Sequence, residues 1–281
     1  MQKRVAAIHD ISGFGKCSLT VALPVISAAG IEVSVIPTAV LSTHTGGFTG
    51  FTYRDLTEDI LPVVNHWCAL GLNFDAVYTG FLGSFEQIDI MKQVFGCLRG
   101  EETLIMVDPV MADNGALYKV FPENFPDGMR ELCACADIIV PNMTEAALLI
   151  GQAYSEGPYT QASIESMLKK LAGLGPRLVV LTGVCFDDKQ LGAAVYDSAT
   201  DAVDYAFSRR IEGCYHGTGD VFASVLLSAV LRGFSLAESA QIAVDFTAQS
   251  IERTRKAGTD VRFGVNFEEG LRSLGGRLGL E

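Results

Sequence analysis

A succession of short apolar runs, each closing on glycine, hydroxyl or acidic residues, constrains this chain more than any other feature. Val5–His9 leads into Asp10–Lys16, Ile31–Val40 into Leu41–Gly47, and Asp75–Tyr78 into Thr79–Ser84. Thr103–Val107 leads into Asp108–Asp113, Ile138–Val140 into Pro141–Glu145, and Arg177–Leu181 into Thr182-Gly183. Helical apolar patterns separate them at 19–29, 56–70, 85–98, 123–135, 144–151 and 160–173. Near-continuous apolar strands alternating with helices indicate a parallel sheet buried on both faces. Leu191–Asp197 and Val203–Arg209 read as antiparallel strands completing it, turning at Asp201-Ala202. Two long helices follow at 219–232 and 236–255, then a short one at 267–274. The expected fold is α/β, a three-layer α/β/α sandwich with a mostly parallel central sheet. No repeat, low-complexity tract or linker interrupts it, so residues 1–281 are expected to form a single domain.

Open sheets of this kind bind ligands at the carboxyl ends of their strands, so the polar strand ends are the candidate site. The formal net charge of −12, with no basic tract, counts against a nucleic-acid or anionic-membrane partner. No apolar run reaches the ~18 residues of a membrane span, and the N-terminal run is too short for a signal peptide. Seven scattered cysteines read as reduced thiols, which fits a cytoplasmic protein. Cys214 is the one to test for modification.

Gly217-Thr218-Gly219-Asp220 stands immediately before an apolar stripe of Val221, Phe222, Val225, Leu226, Ala229 and Val230. That places a glycine turn at a helix N-terminus, where unpaired N–H groups and the helix dipole favour an anion. Asp220 is either a helix cap or a carboxylate at the rim of that anion hollow.

Other strand ends weigh on that choice. Lys16 after Gly15 suggests a phosphate-binding P-loop, but Asp10 and Cys17 stand where that motif needs glycine and serine or threonine. Asp108, Asp113, Asn142 and Glu145 fall at consecutive strand ends and could hold Mg²⁺ and its waters beside a phosphate. Taken singly, Glu145 also fits a helix N3 position and Asp108 a turn before Pro109. His44 is either a turn histidine or a cover for a ligand ring, with Thr45 donating to that ring. Residues 112–124, without periodicity and containing Asp113, Asn114 and Gly115, are expected to form a mobile lid. With a metal side and an alcohol side both available, Asp220 reads as a general base rather than a cap.

These residues, in this order, resemble the ribokinase superfamily and within it the pyridoxal/pyridoxamine kinase branch. The resemblance runs through Val5–Gly15, Ser42-Thr43-His44-Thr45, Gly80-Phe81-Leu82-Gly83, Asp108-Pro109-Val110-Met111, Pro141-Asn142-Met143-Thr144-Glu145 and Gly217-Thr218-Gly219-Asp220. It implies ATP-dependent phosphorylation of the 5′-hydroxymethyl group of pyridoxamine, pyridoxal or pyridoxine. Asp220 would be the general base, and the N–H groups of Gly217, Thr218 and Gly219 the anion hole. Asp10, Ser12, His44, Thr45 and Phe81 would line the vitamer. Asp108, Asp113, Asn142, Glu145, Thr182, Gly183, Gly217 and Gly219 would serve ATP, with Glu145, Asp108 and Asp113 toward Mg²⁺. The family also implies a monovalent cation, K⁺ or Na⁺, and a homodimer. Better-known members carry serine, valine and tyrosine where Asp10, Cys17 and Phe81 stand. A carboxylate at 10 favours a protonated ring nitrogen or another donor, which leaves hydroxymethylpyrimidine as the alternative alcohol. A binding protein that has lost turnover is the alternative of another class, against which the intact Asp220 and Glu145 stand. A sugar kinase would carry a separate lid sheet, for which 31–50 is too short.

Overall fold

The computed structural model describes residues 2–280. Its first elements are β1 (Arg4–Ser12), α1 (Leu19–Ala28), β2 (Glu32–Leu41), β3 (Tyr53–Asp55), α2 (Thr57–Ala69), β4 (Ala76–Thr79), α3 (Phe85–Leu98) and β5 (Leu104–Val107). A small hairpin, β6 (Ala112–Asp113) and β7 (Ala116–Leu117), precedes α4 (Phe125–Cys133), β8 (Ile138–Ile139), α5 (Met143–Leu149) and α6 (Gln161–Ala172). The chain ends with β9 (Leu178–Val184), β10 (Gln190–Asp197), β11 (Ala202–Arg209), α7 (Thr218–Leu231), α8 (Leu236–Ala257) and α9 (Leu271–Arg277).

Nine strands form the central sheet in the order β11-β10-β9-β8-β5-β4-β1-β2-β3. β1, β2, β4, β5, β8 and β9 run parallel, which gathers their carboxyl ends along one rim. β10 runs antiparallel to both neighbours, and β3 runs antiparallel to β2. Strand side chains alternate between two cores. Val5, Ala76, Tyr78, Met106, Ile138 and Val180 pack with α1, α7, α8 and α9; Ile8, Val77, Val107, Ile139 and Leu181 pack with α2 to α6. Burial on both faces is what makes the strands read as unbroken apolar runs. The same pressure acts on α7, where every residue from Val221 to Ala229 is buried, not only one stripe.

Three local features differ from expectation. β3 is invisible to periodicity, because Tyr53, Arg54 and Asp55 are all exposed and alternate nothing apolar. The β10–β11 turn is made by Ser198–Asp201, with Asp201 at φ +54°, and Ala202 already belongs to the strand. The third is the 112–124 stretch expected as a mobile lid, which opens with a fastened hairpin. Asn114 and Gly115 take φ +51° and +78°, the left-handed pair that suits a two-residue turn. Asn142 Nδ2–H donates to the Ala112 carbonyl at 2.8 Å, and the Gly115 N–H to Thr144 Oγ1 at 2.9 Å. The Met111 N–H donates to Glu145 Oε1 at 3.1 Å. Asn142 also caps α5, its Oδ1 accepting from the Thr144 and Glu145 N–H groups at 2.8 and 3.0 Å. Asn142→Ala is expected to cost about 1–2 kcal/mol in urea unfolding, as a lost cap does, and to speed amide exchange across 112–117.

Candidate active site

Helix α7 points its N-terminus at the carboxyl end of β1. Gly217, its N-cap, sits at φ +75°, and a Cβ there would overlap the Lys16 carbonyl oxygen. Only glycine therefore lets α7 close on the β1–α1 loop. No side chain caps the helix, so its first N–H groups are left to a ligand. Thr218 directs its hydroxyl away from that site, donating to the Tyr215 carbonyl at 3.1 Å. Gly219 is exposed, and the space where a Cβ would stand touches nothing within 4 Å.

Asp220 follows, half-buried. Burial pushes its pKa up to about 7; the Ser18 N–H opposes that shift and the Asp10 carboxylate reinforces it. Asp10 is itself buried and accepts from Ser12 Oγ at 3.0 Å. Burial raises its pKa, against the hydrogen bonds of the Ser18 and Ser12 hydroxyls. Ser18 thus serves both carboxylates, from a backbone at φ +53°, ψ −128° that non-glycine residues rarely adopt. Cys17 lies in the field of the same pair, its thiol pushed well up by burial and by Asp220 and Asp10. It is not a poised nucleophile. Cys214 is exposed and unpaired by any disulfide.

A second group of carboxylates gathers beside the hairpin. Glu145 makes both bonds of a capping box, its Oε2 accepting from the Asn142 N–H at 2.9 Å. Burial lifts its pKa to about 8, opposed by the N–H groups of Asn142, Met111 and Ala112 and reinforced by Asp113. Asp108 is raised by burial and then by the charges of Glu145 and Asp220. Asp113 is exposed and accepts from Asn114 through both oxygens. Tyr118 is exposed, but its phenol is raised by desolvation and by the charges of Glu145, Asp113, Asp108 and Asp220. Thr182 and Gly183 lie just before the end of β9, beside α5. The Thr182 N–H donates to the Pro141 carbonyl at 2.9 Å, and Gly183, at φ +79°, faces Met143.

The far wall holds the residues expected at a ring. His44 is buried with both nitrogens engaged. Nδ1 accepts from the Gly46 N–H at 3.0 Å, so the proton is on Nε2, which donates to the Arg262 carbonyl at 2.6 Å. His44 therefore ties loop 43–48 to residues 260–264 and has only its ring face for a ligand. Thr45 is exposed. Phe81 is half-buried against Phe121, with ring centroids 5.5 Å apart. Tyr53, from the unforeseen β3, stands near Gly83 and within the field of Asp10.

The structure brings Asp220, Gly217, Gly219, Asp10 and Ser12 together on one side, and Asp108, Asp113, Glu145, Asn142 and Thr182 on the other. Asn142 is fully occupied as a cap and clamp. Sequence reasoning missed Ser18, Tyr53 and Tyr118. A serine directly before the first apolar residue of α1 is an N-cap signature that could have drawn attention to Ser18. The two tyrosines carry no such signal. Among the described residues no three His, Cys, Asp or Glu groups converge as a ready-made metal site. The donor set still suits Mg²⁺, which keeps several waters and is held by one or two carboxylates together with substrate phosphates. Buried carboxylates that raise one another's pKa are also relieved by a cation.

A doubly covered sheet, an uncapped glycine-led helix and a carboxylate poised near neutrality define a ribokinase-like kinase. The phosphomethylpyrimidine kinase family model matches residues 22–264, and the chain belongs to that family. It is 36% identical to a Bacteroides thetaiotaomicron protein provisionally assigned as a phosphomethylpyrimidine kinase and solved with pyridoxal. The two share a TM-score of 0.93, covering 98% of this chain and 96% of the other. Pyridoxal kinase from Lactobacillus plantarum is 34% identical, with a TM-score of 0.88 over 98% of this chain and 96% of that one. Among curated proteins, the pyridoxine/pyridoxal/pyridoxamine kinase of Bordetella avium is 28% identical over 265 residues, 90% of this chain and 86% of that protein. A chloroplastic bifunctional thiamine-biosynthetic enzyme of Arabidopsis thaliana is 26% identical over 236 residues; the match takes in 83% of this chain but only 43% of that enzyme.

The two helix-opening glycines are expected to respond differently. Gly217→Ala must displace the Lys16 loop and lower the thermal midpoint. Gly219→Ala has room, and with better helix propensity it is expected to gain about 0.5–1 kcal/mol while weakening nucleotide binding. Calorimetry of unfolding and titration with ATP separate the two.

Proposed function

We propose that this chain is an ATP-dependent kinase that phosphorylates the 5′-hydroxymethyl group of a B6 vitamer. The observation that carries the reading is Asp220, a carboxylate tuned to about pH 7 on the first turn of an uncapped helix. The vitamer hydroxyl oxygen attacks the γ-phosphorus as Asp220 accepts its proton, and ADP leaves. The N–H groups of Gly217, Thr218 and Gly219 stabilise the charge on the transferring phosphoryl oxygens. Asp10 and Ser12 meet the polar edge of the ring, while Phe81, Tyr53 and the face of His44 enclose it. Thr182 and Gly183 lie along the nucleotide phosphates. Asp108, Asp113 and Glu145 would hold Mg²⁺ through its waters, and bound there the ion neutralises phosphate charge. A monovalent cation, a homodimer and a cytoplasmic location complete the reading; light scattering checks the dimer.

Hydroxymethylpyrimidine is the second substrate to test. The family match and the Arabidopsis relative favour it, and so does Asp10, which can face a ring donor. Coupled assays on pyridoxal, pyridoxamine, pyridoxine and hydroxymethylpyrimidine decide between them. Turnover of the pyrimidine alone would overturn the vitamer assignment.

Two expected outcomes test the base. Asp220→Asn should reduce kcat by about 10²–10⁴-fold with ATP affinity retained in titration calorimetry. In the unaltered protein the reactive form is the carboxylate, so kcat/KM is expected to fall about tenfold per pH unit below about pH 7 and to level off above it.

A further inference from the structure

Behind Asp220, polar atoms without any partner on the protein cluster in one place. They are both ring nitrogens of His9, the Tyr78 hydroxyl and Ser224 Oγ. All three residues are completely buried. His9 and Tyr78 stand on neighbouring strands, their rings crossing at 75° with centroids 4.4 Å apart. Gly80 makes the space, since a Cβ there would overlap His9 Nδ1. Burial holds the His9 pKa down at about 3, so the ring stays neutral, with one donor and one acceptor to satisfy.

Ser224 lies one helical turn beyond Asp220 and on the same side of α7. Of the buried helical hydroxyls elsewhere in the chain, Ser239 and Thr247 on α8 are likewise without a partner, but three bond back to their own backbone. Ser228 donates to the Ser224 carbonyl at 2.7 Å, Ser250 to Phe246 at 2.8 Å and Thr254 to Ser250 at 2.7 Å. Ser224 makes no such bond. It sits instead beside the Tyr78 phenol, whose pKa burial raises well above the usual value; Ser224 opposes that rise, but no hydrogen bond of good geometry joins the two hydroxyls. The same phenol lies within the fields of Asp108 and Asp220.

Buried polar groups nearly always find partners, and where the protein supplies none, internal water does. We propose that His9, Tyr78 and Ser224 line a chamber of internal water behind Asp220, and that Tyr78 and Ser224 are positioning residues that hold the base through that water. This rests on Asp220 being the base of the proposed kinase. Neither hydroxyl touches a substrate in this scheme; each restricts the carboxylate that does.

Tyr78→Phe and Ser224→Ala each delete one hydroxyl and leave the packing otherwise filled. Each is expected to lower kcat with ATP and pyridoxal by about tenfold, the scale of partners that act through a functional group. Both KM values are expected to stay within about twofold, because no substrate contact is lost. The double variant is expected to fall no further than the worse single one, since both remove the same water-held link. Thermal midpoints are expected to be unchanged or lower. An unchanged kcat overturns the proposal, as do multiplying effects in the double variant. A midpoint raised by about 2 °C or more also overturns it, because deleting a dry, unpaired hydroxyl stabilises the fold. If the unaltered protein turns over none of the vitamers, the functional reading fails instead. The thermal arm then still decides whether the chamber is hydrated.

Discussion

The close approach of Gly217 to the Lys16 carbonyl is the contact on which the rest of the site depends. It locks the start of α7 against the loop after β1, bringing Asp220 and Asp10 into each other's field. Both carboxylates share Ser18, two residues beyond Lys16, through its hydroxyl and its N–H. A side chain at 217 would move the helix, and with it the N–H groups, the base and the distance between the two acids. One missing Cβ therefore fixes an anion site and a pKa together.

Charge sets the second constraint. Asp220, Asp108, Glu145, Asp113 and Asp10 crowd the carboxyl ends of the sheet with no lysine or arginine paired to any of them within salt-bridge distance among the described residues. The ion pairs lie elsewhere, on half-exposed side chains where each contributes little. In a low-dielectric cleft the unpaired acids raise one another's pKa, and that makes the cleft receptive to cations and to groups that bring their own positive charge. The net charge of −12 is thus not spread evenly in its effects.

Most of the architecture was legible because burial on both faces writes itself as apolar runs. The polar residue after each run marked the rim. Asp10, Asp108, Asn142 and Thr182 were found this way, whereas Asp220 was read from the glycine turn that opens a helix and gained its environment from strands far away in sequence. What escaped had no burial signal. β3 is wholly exposed, and the 112–117 hairpin has strands of two residues, too short for a period even though Asn114-Gly115 is a strong turn pair. Roles also shifted where one residue had two uses. Glu145 was read as a ligand group with a helix N3 alternative and Asn142 as a ligand group, and the structure shows the two joined in a fully formed capping box. His44 was read either as a turn histidine or as a cover for a ligand ring, and its nitrogens are spent on the backbone. Sequence spacing cannot reveal that, because the acceptor lies 218 residues away.

That last distance has a consequence for how the protein is made. During synthesis loop 43–48 leaves the ribosome well before Arg262, its partner 218 residues further on. The wall that His44 and Arg262 close together can therefore form only after that later segment is made. Until residues 260–264 dock, a nascent chain can hold a folded sheet while loop 43–48 is still untied, so this wall closes later than the sheet beneath it.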